Sequence, residues 1–218
     1  MKYFFVILWL FLIPVAADAI FYNARAFVVS NDNDTIMGEV RLNWFNEASG
    51  AVYFNSFDKE TLHYEVWFRP AGLNTWKAYA ADELKMFSFQ FQGQTYAYKS
   101  FNLDKRSLHK CERNQHRFLL LKFSGSVELY QDKIRIYNIG YKGLLSNTYY
   151  TYVDYYLYSE AEGLIRAEKS KEVKNIRDLL IQYGIESEFI KSFSGNINFK
   201  RLPEILHEYS QWKKEVRV

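Results

Sequence analysis

The chain has 218 residues, 28 Lys+Arg against 25 Asp+Glu for a net charge of +3, and an aromatic share of 19%. So even a mixture does not point to a nucleic-acid partner, which requires a clustered basic face, and a single cysteine, Cys111, excludes an internal disulfide framework. With 18 Tyr and 18 Phe against 3 Pro, the composition favours strands, whose pleated surface packs bulky rings well.

Residues 1–19 have the layout of a secretory signal peptide. Lys2 precedes an uncharged apolar run from Tyr3 to Val15, and Ala17-Asp18-Ala19 closes it with small residues. Broken by Pro14 and Asp18, the run falls short of the roughly 20 apolar residues that a spanning helix needs. The mature chain is expected to begin at Ile20, and the absence of a cysteine there argues against a lipid anchor. Export to the periplasm or cell surface follows as an expectation, with no transmembrane segment in the mature chain.

Period-two alternation dominates from Arg25 onward. Arg25 to Ser30 and Thr35 to Phe45 flank the turn cluster Asn31–Asp34 and read as a hairpin, with Gly38 marking a bulge. Ala51 to Phe54 and Leu62 to Arg69 follow, then a short strand Thr75 to Tyr79 and a helical turn at Ala80–Leu84. A second hairpin joins Met86–Phe91 to Thr95–Phe101. Asn102 to Gln115 is polar and reads as a long exposed loop.

Further strands are predicted at His116–Phe123, Ser126–Tyr130, Ile134–Ile139, Tyr149–Tyr158 and Leu164–Ala167. From Ser170 the period becomes helical: Val173, Ile176, Leu179, Leu180 and Tyr183 share a stripe that Gly184 terminates. A second helix at Glu186–Ser192 and a third from Pro203, carrying Leu202, Ile205, Leu206, Tyr209 and Trp212 on one face, complete a cap. The expected organisation is therefore a signal peptide (1–19), a β-rich domain (20–168) and a helical cap packed on it (169–218). In class this is α+β: a mostly antiparallel sheet, curled or two-layered, under a C-terminal helical cap.

Several segments occur in a telling order: Ala26-Phe27-Val28-Val29-Ser30 followed by Asp34-Thr35-Ile36-Met37-Gly38-Glu39-Val40, then Trp76-Lys77-Ala78-Tyr79 leading into Asp82-Glu83-Leu84-Lys85-Met86-Phe87. Phe118-Leu119-Leu120-Leu121 and Gly125-Ser126-Val127-Glu128-Leu129-Tyr130 follow, and with the helical ending these segments resemble a family of secreted and periplasmic proteins of the Bacteroidetes. Asn33 and Met86 stand where that family more often has Gly. The resemblance implies a compartment and a lineage; it brings no activity, cofactor or catalytic residue with it.

Candidate chemistry is sparse. His109, Cys111 and His116 form the one cluster that could ligate zinc or activate a thiolate, but paired ligand spacing and a fourth ligand are missing. Asn31–Asp34 has contiguous rather than alternating oxygen ligands, so a hairpin turn is favoured over calcium. Asp58 with Glu60, and Glu160 with Glu162, read as solvated turn charges. The Tyr149–Tyr158 strand offers Tyr150, Tyr152, Tyr156 and Tyr158 on one parity as a binding surface, for which the competing reading is burial on both faces. The expectation is an exported, non-catalytic envelope protein serving protein interaction, with no cofactor or metal and with oligomeric state left open. A glycan or small-ligand binder or hydrolase of the envelope is the alternative.

Overall fold

The computed structural model describes residues 21–46, 51–103, 115–137, 149–167 and 176–216. The signal-peptide segment and the first residues of the helical stripe lie outside them. Twelve strands are present among the described residues: β1 (Phe21–Ser30), β2 (Thr35–Asn43), β3 (Phe45–Asn46), β4 (Ala51–Val52), β5 (Glu65–Pro70), β6 (Lys77–Ala80), β7 (Leu84–Phe91), β8 (Gln94–Asn102), β9 (His116–Phe123), β10 (Glu128–Tyr137), β11 (Tyr149–Ser159) and β12 (Gly163–Arg166). Three helices follow, α1 (Ile176–Gln182), α2 (Ser187–Ser192) and α3 (Leu202–Val216). Ten strands hydrogen-bond in the order β12-β11-β10-β9-β8-β7-β1-β2-β5-β6, while β3 and β4 pair with each other. The expected α+β class is what forms, with one strand order in place of two layers.

The chain divides into two compact units at Ala97/Tyr98, within β8. In the N-terminal unit, β1 and β2 join through the turn read from Asn31–Asp34. Ser30 N–H donates to the Asp34 carbonyl at 2.9 Å, and Asn33 takes the left-handed backbone (φ 72°) that asparagine tolerates. One face of these strands carries Ala24, Ala26, Val28, Val40, Leu42, Val66, Phe68, Phe87 and Phe89, all buried. Phe57 packs edge-on against Phe89, Phe91 and Tyr96, with centroids 5.0–5.3 Å away, so the segment before β5 closes this core. Asp58 is 1% exposed and its Oδ1 accepts the Glu60 N–H at 3.0 Å; it is a buried turn-forming group, not the solvated charge expected.

Gly38 is not at a bulge. It pairs in regular register with Ala26 and Pro70, and its missing side chain makes room: a Cβ there would meet the Arg69 carbonyl at 2.1 Å and the Phe68 ring at 2.6 Å.

In the C-terminal unit the predicted strands Ser126–Tyr130 and Ile134–Ile139 are one strand, β10, paired along its whole length with β11. The helical stripe lands as its period requires. Leu179, Leu180, Tyr183, Phe189, Ile190, Leu202, Ile205, Leu206 and Tyr209 join Val127, Leu129 and Leu157 in one buried cluster, so the helices cover the odd-numbered face of β11 at Tyr155 and Leu157. Each such aliphatic side chain contributes about 1.5–3 kcal/mol by leaving water. Gly184 ends α1 at φ 95°, with Ile185 N–H donating to the Leu180 carbonyl at 2.9 Å. Asn198 caps the 3-10 turn that leads into α3, its Oδ1 accepting the Lys200 and Arg201 N–H groups at 3.1 and 3.2 Å.

Because Phe68 and the Arg69 carbonyl occupy the space a methyl group would need, Gly38→Ala is expected to lower stability by about 1–3 kcal/mol, the usual cost of overpacking. Urea unfolding of the chain from Ile20 onward measures it; an unchanged midpoint would show that β5 can retreat.

Candidate functional site

The even-numbered face of β11 is where sequence placed a binding surface, and there the four tyrosines part company. Tyr150 pairs with Ile136, but its side chain lies outside what is described. Tyr152 is 43% exposed, Tyr156 only 1%, and Tyr158 is half-buried. Tyr156 is thus a core residue, not part of a surface. Together with Leu103, Leu119 and Tyr130 it forms a second cluster, to which Phe101, Leu121, Tyr158 and Leu164 are added.

Between these rings runs a row of four charges that sequence reading missed. Asp132 and Asp154 face each other directly across β10 and β11. Like charges so placed repel. Each is answered from the flanking strand: Arg117 on β9 donates to Asp132 at 2.6 Å, and Arg166 on β12 donates to Asp154 at 2.5 Å. Read across β9 to β12 the signs are plus, minus, minus, plus. All four side chains are at most 5% exposed. Arg166 is the register partner of Tyr156, two residues from Asp154, so the pair closes along the diagonal that long side chains span.

This environment acts on the phenols. Burial foremost, and then the Asp132 and Asp154 carboxylates, raise the Tyr156 pKa far above its ordinary value. Burial, a hydrogen bond to Glu128 and the charges of Glu128 and Tyr158 do the same for Tyr130. Tyr183 is pushed up to about 12, by burial first and then by Glu162. At neutral pH these phenols stay protonated, with no readiness to exchange protons.

Tyr158 leads to a cleft of about 470 Å³ lined by Lys99, Ser126, Glu128, Glu160, Gln182 and Tyr183, among others. The Lys99 ammonium lies 4.3 Å from the Tyr158 ring centroid and 3.5 Å from Glu128 Oε2, which also accepts the Tyr130 hydroxyl at 2.6 Å. On the other wall Gln182 Nε2 donates to Glu162 Oε2 at 2.7 Å. Glu160 is an exposed lining group and Glu162 is held by Gln182, so the two do not act as a matched carboxylate pair.

His109 and Cys111 lie outside the described residues, and His116 opens β9 opposite Asn102, half-buried. Among the described residues no three His, Cys, Asp or Glu side chains are grouped as a metal site, and no helix is long and apolar enough to cross a membrane. A scan against protein-family models gives no match, and neither do searches of curated proteins and of solved structures.

The raised phenols set an alkaline limit on stability. An unfolded chain begins to lose tyrosine protons near the ordinary value of about 10, whereas the folded state holds them. The stabilisation is therefore complete below about pH 10 and declines as pH rises beyond it. Phenolate absorbance and circular dichroism recorded together should show the last tyrosines ionising only as the fold is lost. Ionisation of every tyrosine near pH 10 in an intact fold would contradict their burial.

Proposed function

We propose that this chain is exported to the cell envelope and works there as a non-catalytic protein-interaction module. The observation that carries the reading is how the β11 face uses its polar groups. Its four charges are committed to two buried Arg–Asp pairs, while Tyr152 stays 43% exposed further along the same face and Val153, beside it on the opposite face, stays 42% exposed. Half-exposed aromatic side chains offer large contact area with a polar edge, the chemistry of interface anchors. The signal-peptide layout of residues 1–19 and the likeness to secreted Bacteroidetes proteins support the compartment.

A glycan or small-ligand reading draws on the 470 Å³ cleft with Tyr158 and Tyr183 in its walls. It is the weaker of the two, because Lys99 already lies over the Tyr158 ring on which a sugar would stack.

Two measurements on the full chain test the proposal. Fractionation with N-terminal sequencing should find the protein outside the cytoplasm, starting at Ile20. A photo-crosslinking amino acid at position 152 should give a discrete adduct with an envelope protein that the same group at exposed position 200 does not give. Turnover of envelope glycan by the purified protein, or the same adducts from both positions, would count against it.

A further inference from the structure

The second face of the N-terminal unit, away from its aromatic core, carries an arrangement of guanidinium groups that the proposed function does not use. Arg25, Glu39 and Arg69 lie side by side on β1, β2 and β5, joined by direct register pairs. Glu39 is flanked by two arginines and binds one: Arg69 Nη2 donates to its Oε2 at 2.5 Å. Arg25 is exposed and has no ion pair among the described residues.

Neighbouring rings hold the other arginines in place. Arg41 lies 4.6 Å from the Trp76 ring centroid and 4.8 Å from that of Phe21, and Arg69 lies 4.8 Å from Trp76. Stacking desolvates the face of a guanidinium, whose edge N–H groups have the geometry that grips carboxylate or phosphate oxygens in pairs. Glu65, the next acidic residue along β5, is taken up by the indole N–H of Trp67 at 3.2 Å. Arg25 and Arg69 thus flank one carboxylate, Glu39.

Over this row opens a cleft of about 470 Å³, lined by Arg25, Met37, Glu39, Arg69, Leu73 and Asn74 among others. Its cationic side is Arg25 and Arg69. Its apolar rim is Met37 and Leu73, 61% and 56% exposed.

We propose that this cleft binds a small amphipathic oxyanion, a carboxylate or phosphate bearing an alkyl chain. Arg25 is its principal ligand and Arg69 is shared with Glu39. Met37 and Leu73 receive the alkyl part, and Glu39 is the internal competitor that occupies Arg69 when the cleft is empty. The inference stands apart from export and from the β11 face.

Calorimetric titration of the full mature chain at low ionic strength tests it, with octanoate and octyl phosphate as probes and with octyl glucoside and octyltrimethylammonium as neutral and cationic controls. Saturable one-to-one binding of at least one anion, without binding of either control, is expected. Octanoate alone would identify a carboxylate site and octyl phosphate alone a phosphate site. Arg25→Gln should weaken the anion about tenfold or more, as loss of a charge-assisted hydrogen bond does, with melting temperature unchanged because Arg25 is exposed. Glu39→Gln should bind at least as tightly as the parent. Failure of both anions to bind, equal binding of a control, or an Arg25→Gln affinity equal to that of the parent would overturn the proposal.

Discussion

Two like charges placed directly opposite each other on neighbouring strands are the constraint on which the C-terminal unit depends. Asp132 and Asp154 can share the β10–β11 ladder because Arg117 and Arg166 reach them from the strands on either side. Burial makes the requirement strict, since an ionised carboxylate removed from water without a partner costs several kcal/mol. Side chains alternate along a strand, so a slip of one residue would send these charges to the helix-covered face, among Leu129, Leu157 and Leu206. The register that keeps the pairs together also turns Tyr130 and Tyr156 into one core and Leu129 and Leu157 into the other. Tyr158 reaches the cleft and Tyr152 the surface as a consequence of that register.

The N-terminal unit handles its arginines differently. Arg41 and Arg69 are stacked on Trp76, where an aromatic ring replaces part of the hydration shell. A buried Arg–Asp pair is closed to a ligand, whereas a stacked, half-exposed arginine is poised for one. The same residue type is therefore structural in one unit and a recognition group in the other, and its neighbours decide which.

Much of this fold was legible in the chain. His116–Phe123 is the strand predicted between the polar stretch Asn102–Gln115 and the Ser124-Gly125 turn, and the spacing of Leu202, Ile205, Leu206 and Tyr209 identified the buried face of α3. Gly184 ended its helix for the reason a Gly usually does, a left-handed backbone. The failures have physical causes. Gln131-Asp132-Lys133 separates two predicted strands because three polar residues interrupt an apolar run, yet Asp132 is compensated by Arg117, fifteen residues earlier, and the strand passes straight through. A lone charge inside an otherwise uncharged strand, as at Asp154 and Arg166, was the available signal. Parity placed Tyr156 and Tyr158 on one face but says nothing of what packs there. Gly38 looked like a bulge because local sequence does not record the approach of Phe68 from another strand.

The claim that the buried charges act as coupled pairs is tested most directly by a double-mutant cycle on Arg117 and Asp132, read by urea unfolding. Arg117→Met alone removes the guanidinium paired with the buried Asp132 carboxylate and is predicted to cost about 3–5 kcal/mol. Adding Asp132→Leu should recover most of that loss, since an apolar pair of similar size removes the stranded charge. If the double variant is instead destabilised by the sum of the two single losses, the charges act independently and do not hold the strands in register.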